Sequence, residues 1–203
     1  MEIAFILIGY LSGSVLYARI VSKVFKKENM IKDSRDQNPG TANAFMHGGF
    51  WCGILTLLGD ILKGLLPMAF YSAYLVRSGY PGEWNPFVIA APVVGHIFPV
   101  FYGFRGGKGI ATTFGCLLGL FPFWQPATVL AFCFIFFSVI LRITPHFYRT
   151  LITYLTALLG MIYSVDRTAV ISGFIIITAA VCIRLCRSRE EKKKVQVKLL
   201  WMR

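Results

Sequence analysis

Long stretches without a charged residue constrain this chain more than any other feature. Residues 37–59, 84–104 and 109–141 contain no Asp, Glu, Lys or Arg, and residues 1–18 contain only Glu2. About 20 apolar residues in a helix, at 1.5 Å each, cross a hydrocarbon layer about 30 Å thick. A soluble protein could bury one such stretch as a core helix, but it could not bury all of them. The pattern therefore predicts several membrane-spanning segments.

Composition indicates the same class. Hydrophobic residues make up 56% of the chain and charged residues 15%, and the mean hydropathy is +0.64. Soluble domains carry charge on about 25% of their residues. The strands of a membrane barrel would alternate with a period of two, and residues 132–139 show no alternation. We therefore expect an all-α, polytopic integral membrane protein.

The spacing of the apolar runs predicts about seven transmembrane helices in one membrane domain, residues 1–188. Their expected ranges are 3–25, 44–76, 87–101, 109–121, 126–141, 151–165 and 169–186. Pro67 should bend the long second helix, because proline lacks an N–H group and clashes with the preceding turn. The candidate motifs lie in loops near residues 26–43, 104–109 and 142–150. A basic tail, residues 189–203, is expected to be solvated at the membrane surface.

The positive charges indicate how the helices are oriented, since Lys and Arg are retained in the cytoplasm during insertion. Most of the 21 lie in three alternate loops and the tail, and only Arg77 and Arg167 lie in the loops between them. Six end or follow the first helix: Arg19, Lys23, Lys26, Lys27, Lys32 and Arg35. The N-terminus is therefore expected outside, with the C-terminus and the functional face in the cytoplasm. The net charge of +12 fits contact with anionic lipid, and its spread over four segments argues against nucleic-acid binding.

The five cysteines all fall within the expected helices. Their spacing is that of neither a disulfide framework nor a metal site, so we interpret them as small apolar residues. We also expect no metal and no cofactor. Nothing in the sequence indicates an oligomeric state.

The strongest candidate for a functional motif is the glycine-rich segment around Lys108. Gly106, Gly107 and Gly109 surround this lysine at the expected start of a helix. Glycines allow a close approach of the backbone to an anion, and a helix N-terminus adds positive potential. Lys108 adds a full charge and Arg105 a planar fork, so the segment suits a phosphate group. The alternative is a tight interhelical turn whose cations only set the topology.

A second candidate segment precedes the second helix. Asn38, Gly40, Thr41 and Asn43 form a run of small polar and turn-forming residues. Asn38 or Thr41 could simply cap the helix by accepting backbone hydrogen bonds. Two Asn and a Thr are more than one cap needs, so the segment also suits the binding of a phosphate or a hydroxyl group.

Three polar residues lie inside otherwise apolar segments. Asp60 and Lys63 are three residues apart on one helix, and a charge inside a membrane costs about 3 kcal/mol. We therefore expect an ion pair that faces the bundle interior, either at the site or as purely structural packing. His96 has apolar neighbours, and a structural hydrogen bond at a helix end competes with a role in proton transfer.

Three segments of the chain resemble a known family. Residues 95–112, which read Gly-His-Ile-Phe-Pro-Val-Phe and continue to Gly-Gly-Lys-Gly-Ile-Ala-Thr, are similar to the second signature of the PlsY-type acyl-phosphate:glycerol-3-phosphate acyltransferases. Residues 11–14 (Leu-Ser-Gly-Ser) and 38–43 (Asn-Pro-Gly-Thr-Ala-Asn) resemble the first signature. Residues 57–67 resemble the segment that follows it. The likeness is close over roughly the first 120 residues.

The resemblance implies a seven-helix enzyme of the bacterial inner membrane. Such an enzyme moves an acyl group from acyl-phosphate to glycerol 3-phosphate, which gives lysophosphatidic acid and phosphate. We assign catalytic roles to Lys108, Asn38 and His96. Substrate-binding roles are assigned to Gly106, Gly107, Gly109, Arg105, Gly40, Thr41, Asn43, Ser14, Asp60 and Lys63. The acyl-CoA-dependent signature His-x4-Asp is absent after all three histidines, which argues against a CoA donor.

The chain also departs from the family pattern. Asp36 and Gln37 stand where typical members have Ser and Gly, and Met46 stands where they have Arg. The family's third motif, a His and an Asn in the C-terminal basic segment, has no counterpart in residues 184–203. Residues 144–150 replace a serine-rich loop. A lipid-binding relative without activity, and less readily a small transporter, are the alternative functions.

Overall fold

The computed structural model describes residues 1–31, 33–34, 36–188 and 194–200. Nine α-helices follow one another in this part of the chain: α1 (Glu2–Ser14), α2 (Tyr17–Val24), α3 (Thr41–Asn43), α4 (Phe50–Arg77), α5 (Pro86–Ile97), α6 (Ile110–Leu118), α7 (Gln125–Ile135), α8 (His146–Ser164) and α9 (Thr168–Cys186). π-Helical turns, Ala44–Gly48 and Phe136–Ile140, follow α3 and α7. The chain is therefore mostly helical, as the sequence predicts.

The first expected helix, residues 3–25, is two helices in the structure. Val15 and Leu16 between α1 and α2 have extended backbones, with ψ of 117° and 95°. The prediction of one continuous helix was therefore wrong at this point. An extended residue breaks the pattern of i to i−4 hydrogen bonds, so the Val15 carbonyl becomes available to another partner.

The second expected helix, residues 44–76, also begins differently. Its first residues belong to α3 and the π-helical turn, and α4 starts only after Gly49, which has φ of +91°. Glycine adopts this conformation without the steric cost that a side chain would impose. From Phe50 onward α4 continues through Pro67 as one helix of 28 residues.

Glycines allow the helices of the bundle to approach one another closely. A Cβ atom on Gly13 would overlap the Pro92 backbone of α5, and one on Gly115 of α6 would overlap the Ile61 carbonyl of α4. Without a hydrophobic driving force between helices in lipid, close backbone packing stabilises such contacts. These contacts hold α1 against α5 and α4 against α6, the helices that carry the buried polar residues.

Three helical segments in the described part of the chain are long and apolar enough to cross a membrane: Glu2–Val24, Phe50–Arg77 and Thr168–Cys186. Pro86–Tyr102 and Gln125–Ile140 are shorter apolar helical segments. The expected helix 109–121 is Ile110–Leu118, and the expected helix 151–165 begins earlier, at His146. Large apolar side chains such as Leu7, Phe70 and Phe132 are exposed on the outer surface. Lipid can cover these side chains.

A small antiparallel sheet was not expected from the sequence. Strand β1 (Leu141–Thr144) pairs with β2 (Gln196–Leu199), with Arg142 opposite Lys198 and Ile143 opposite Val197. The chain is therefore not strictly all-α, and residues 196–199 of the basic tail are bound to the loop before α8. Tail residues 189–193 and 201–203 lie outside the described residues, as do Lys32 and Arg35.

Candidate functional site

A buried polar cluster around Lys63 joins three segments of the chain. The Lys63 ammonium lies 2.8 Å from Asp60 Oδ1, 2.7 Å from the Val15 carbonyl oxygen and 2.6 Å from His96 Nδ1. An ammonium has three N–H donors, and these three atoms lie close around it. The Lys63 side chain is 1% exposed. The expected ion pair with Asp60 is confirmed, and the break between α1 and α2 supplies the second acceptor.

His96 lies in the last turn of α5 and accepts a hydrogen bond in this cluster. Because the Lys63 ammonium has only donors, the His96 Nδ1 atom must be the acceptor and Nε2 carries the ring proton. A Cβ atom on Gly107 would overlap Nε2, so the glycine backbone packs directly on the imidazole edge. His96 therefore links Lys63 to the glycine-rich segment, which fits the structural hydrogen bond at a helix end.

Two glycines of the Lys108 segment are hydrogen-bonded to the end of α5. The Gly106 N–H donates to the Ile97 carbonyl and the Gly107 N–H to the His96 carbonyl, each at 3.1 Å. These carbonyls end α5 and need donors from outside the helix. The N–H groups of Gly106 and Gly107 are therefore bound to the end of α5.

The start of α6 is the part of the segment that remains suited to an anion. Gly109 precedes this helix with φ of +82°, which favours glycine. The helix N–H group of Thr113 bonds to the Gly109 carbonyl. The N–H groups of residues 110–112 precede this bond, and no carbonyl inside the helix is in place to accept from them.

The two candidate segments meet at Asp36. The Lys108 ammonium lies 3.1 Å from Asp36 Oδ2, and Asn43 Nδ2 donates to Asp36 Oδ1 at 2.8 Å. Asn43 Nδ2 also donates to the Asn38 carbonyl at 2.8 Å, and the Asn38 N–H donates to Asp36 Oδ1 at 3.2 Å. The structure thus brings Lys108, Asn38 and Asn43 together. Asp36, which stands out in the sequence only as a departure from the family, is the residue that joins them.

The environment of Asp36 keeps its carboxylate charged. Burial favours the neutral acid, but the Lys108 charge and the hydrogen bonds from Asn43, Lys108 and the Asn38 backbone outweigh it, so the pKa of Asp36 is lowered. A lowered pKa in the folded protein means that this contact contributes stability at neutral pH. The contribution is lost as the pH falls through that lowered pKa.

Several polar atoms at these segments are buried without a hydrogen-bond partner among the described residues: Asn38 Oδ1, Thr41 Oγ1 and Thr112 Oγ1. The short helix α3 has no side-chain cap in the described structure, so Asn38 and Thr41 do not serve as the caps considered above. Gly40 leaves room for the Asn38 side chain, which a Cβ atom would approach to 2.7 Å. Buried polar atoms without partners are suited to accept a ligand or water.

Ser14 differs from these residues because the backbone already satisfies its hydroxyl. Ser14 Oγ donates to the Tyr10 carbonyl at 2.9 Å and accepts from the Val100 N–H at 3.4 Å. Its described contacts therefore join α1 to the residues after α5.

A cavity of about 1000 Å³ lies beside Asp36. Its charged lining residues are five cations and one carboxylate: Arg19, Lys23, Arg105, Arg184, Arg187 and Asp36. Arg184 Nε and Nη2 both donate to the Gly106 carbonyl, at 3.1 and 3.0 Å, which ties the end of α9 to the glycine-rich segment. Arg105 and Gly106, which were expected at the site, line this cavity. Lys108 contacts the lining residue Asp36. Sequence reasoning treated Arg19 and Arg184 only as topology determinants.

The buried cluster makes a prediction about stability. Replacing Asp60 by Ala leaves the Lys63 charge without its carboxylate in a region of low dielectric, which should cost about 3–5 kcal/mol of unfolding free energy. The double change Asp60→Ala and Lys63→Met should cost less than Asp60→Ala alone, because no uncompensated charge remains. A double-mutant cycle on thermal stability in detergent measures both. Additive effects of the two single changes would show that the charges do not interact.

Comparison with known proteins gives the family of the chain. A model of the glycerol-3-phosphate acyltransferase family matches residues 3–196. The glycerol-3-phosphate acyltransferase of Pseudomonas aeruginosa (strain UCBPP-PA14) is 41% identical over 125 residues, 62% of each protein. That of Thioalkalivibrio sulfidiphilus (strain HL-EbGR7) is 42% identical over 120 residues, 58% of this chain and 55% of the relative. The matched segments cover less than two thirds of these relatives' lengths.

Solved structures extend the similarity over most of the fold. The crystal structure of PlsY (YgiH), an integral membrane glycerol 3-phosphate acyltransferase, in its glycerol 3-phosphate form has a TM-score of 0.73 and 26% identity to this chain. The match covers 90% of this chain and 86% of that one. The lysophosphatidic acid form of the same protein has a TM-score of 0.72. With the family model matched over nearly its whole length, this chain belongs to the glycerol-3-phosphate acyltransferase family and has the fold of an integral membrane protein.

Proposed function

We propose that the protein transfers a fatty acyl group from acyl-phosphate to glycerol 3-phosphate, giving lysophosphatidic acid and phosphate. The observation that carries this proposal is the contact of Lys108 with Asp36, which joins the two motif segments at the wall of a cation-lined cavity. A reaction between two phosphate-bearing substrates needs such an excess of positive charge. The PlsY forms with glycerol 3-phosphate and lysophosphatidic acid correspond to a substrate and the product of this reaction.

The chemistry follows from the donor. Acyl-phosphate is a mixed anhydride, so its carbonyl carbon is already activated. The acceptor hydroxyl oxygen bonds to this carbon, and the bond from the carbon to the phosphate oxygen breaks with its electron pair on phosphate. The second pKa of phosphate lies near neutrality, so the departing phosphate can take up the hydroxyl proton. The protein must orient the two substrates and stabilise the charge on the leaving phosphate.

The described residues divide these tasks between them. Lys108 and the N-terminus of α6 would stabilise the donor phosphate. Asn38 Oδ1 and Thr41 Oγ1, which are buried without partners in the described part of the chain, would orient the acceptor. His96 would act as a positioning residue through its contact with Lys63.

The proposed setting is the cytoplasmic face of a bacterial cell membrane. Seven crossings with the N-terminus outside would bring three basic segments to one face: the end of α2, residues 103–108 and the end of α9. The same three segments line the cavity. The distribution of Lys and Arg along the chain supports this orientation.

The lysine assignment predicts a large loss of turnover. Lys108→Met keeps the aliphatic stem and removes the charge, so acyl transfer from acyl-phosphate should fall about 10- to 150-fold. This range corresponds to a charge-assisted contact of about 1.5–3 kcal/mol. Arg105→Met should have a smaller effect, because Arg105 is exposed. Wild-type kinetics in a folded Lys108→Met protein would contradict the proposed contact between Lys108 and the donor phosphate.

The orientation predicts which single cysteines react from each side of the membrane. With the exposed Cys186 replaced by Ser, a cysteine at Lys27 should react with an impermeant maleimide only from the cytoplasm. A cysteine at Glu83 should react only from outside. Both positions are exposed on the protein surface. The reverse labelling pattern would overturn the cytoplasmic assignment.

A further inference from the structure

Arg19 has an unusual environment at the cavity wall. Its guanidinium carbon lies 5.2 Å from the centroid of the Tyr102 ring, so the ring holds the cation by a cation–π contact. Its Nε atom is buried and has no hydrogen-bond partner among the described residues. A buried donor without an acceptor costs free energy. Arg19 also lines the cavity, so an anion bound there could contact its guanidinium group.

The surrounding charges indicate what that acceptor is. The cavity lining carries five cations and a single carboxylate, Asp36. Asp36 is already bound to Lys108 and Asn43, and Arg184 donates to the Gly106 carbonyl. The cavity lining therefore has an excess of positive charge, and a volume of about 1000 Å³ leaves room for more than one phosphate group. A guanidinium fork suits two oxygens of a phosphate.

We propose that Arg19, held by Tyr102, binds the phosphate monoester of the water-soluble acceptor in this cavity. This inference rests on the proposed function, because it assigns one cation to each of the two phosphates of the reaction. Lys108 and the start of α6 take the donor phosphate, and Arg19 takes the acceptor phosphate. Asp36 connects the two parts of the site, since it contacts Lys108 and lines the same cavity as Arg19.

The test is the kinetics of Arg19→Met in the full-length protein, with both substrates varied. Loss of a charge-assisted contact should raise the KM for glycerol 3-phosphate about 10- to 150-fold. The KM for acyl-phosphate should stay within about twofold of wild type, because Lys108 is intact. Lys27→Met is the matched control: it removes one exposed cation from the end of the same span, outside the cavity lining, and should change neither constant. An unchanged KM for glycerol 3-phosphate in Arg19→Met would overturn the proposal.

Two milder variants keep the test decisive if Arg19→Met does not fold. Arg19→Lys keeps the charge but loses the planar fork, and Tyr102→Leu keeps the cation but loses the ring beneath it. Each should raise the KM for glycerol 3-phosphate by a smaller factor, about three- to tenfold, since each keeps part of the contact. Wild-type KM values in both variants would overturn the proposal.

A binding measurement separates this proposal from the proposed activity. Glycerol 3-phosphate should raise the melting temperature of the wild-type protein in detergent, and should have much less effect on Arg19→Met. If glycerol 3-phosphate stabilises wild type more than Arg19→Met but wild type transfers no acyl group, the Arg19 site is supported and the proposed activity is contradicted. If wild type transfers acyl groups and glycerol 3-phosphate stabilises both proteins equally, the proposed activity is supported and the Arg19 site is contradicted.

The same measurement distinguishes the two sources of a phosphate monoester. Lysophosphatidic acid presented in the detergent micelle carries the same group on a lipid. Stabilisation by this lipid alone, with none by glycerol 3-phosphate, would contradict a site for the water-soluble acceptor. Stabilisation by glycerol 3-phosphate that is lost in Arg19→Met supports it.

Discussion

Lys63 places a positive charge inside an apolar bundle, where an unpaired charge costs several kcal/mol. Its three polar neighbours come from three places: Asp60 on its own helix, the Val15 carbonyl at the break in the first span, and His96 at the end of α5. The break is thus part of the same arrangement, since a continuous helix would have used the carbonyl itself. The Lys63 ammonium thus connects α4, the break between α1 and α2, and the end of α5.

His96 connects Lys63 to the glycine-rich segment around Lys108. Its ring is fixed by Lys63 at Nδ1, and its carbonyl accepts from the Gly107 N–H. The glycine backbone can therefore pack on the imidazole, and Lys108, the next residue, reaches Asp36. Arg184 ties Gly106 to the end of α9. The glycines serve first to dock the loop on α5, and the anion-binding capacity lies in Lys108, the start of α6 and the arginines.

The sequence predicted the helical membrane class and the Asp60–Lys63 pair, because apolar run length and the cost of an isolated charge are local properties. It did not predict the break at Val15, which depends on an acceptor needed 48 residues away. Nor did it predict the β1–β2 pairing, since two four-residue strands far apart carry too little pattern. Asp36 was missed for a similar reason: its role exists only because the fold brings Lys108 to it.

The proposed reaction is acyl transfer from acyl-phosphate to glycerol 3-phosphate. The most direct measurement gives purified wild-type protein labelled glycerol 3-phosphate with either acyl-phosphate or acyl-CoA as donor. We expect lysophosphatidic acid and phosphate in equal amounts from acyl-phosphate, and no product from acyl-CoA. Folded protein that yields no lysophosphatidic acid from acyl-phosphate, or that uses only acyl-CoA, would contradict it.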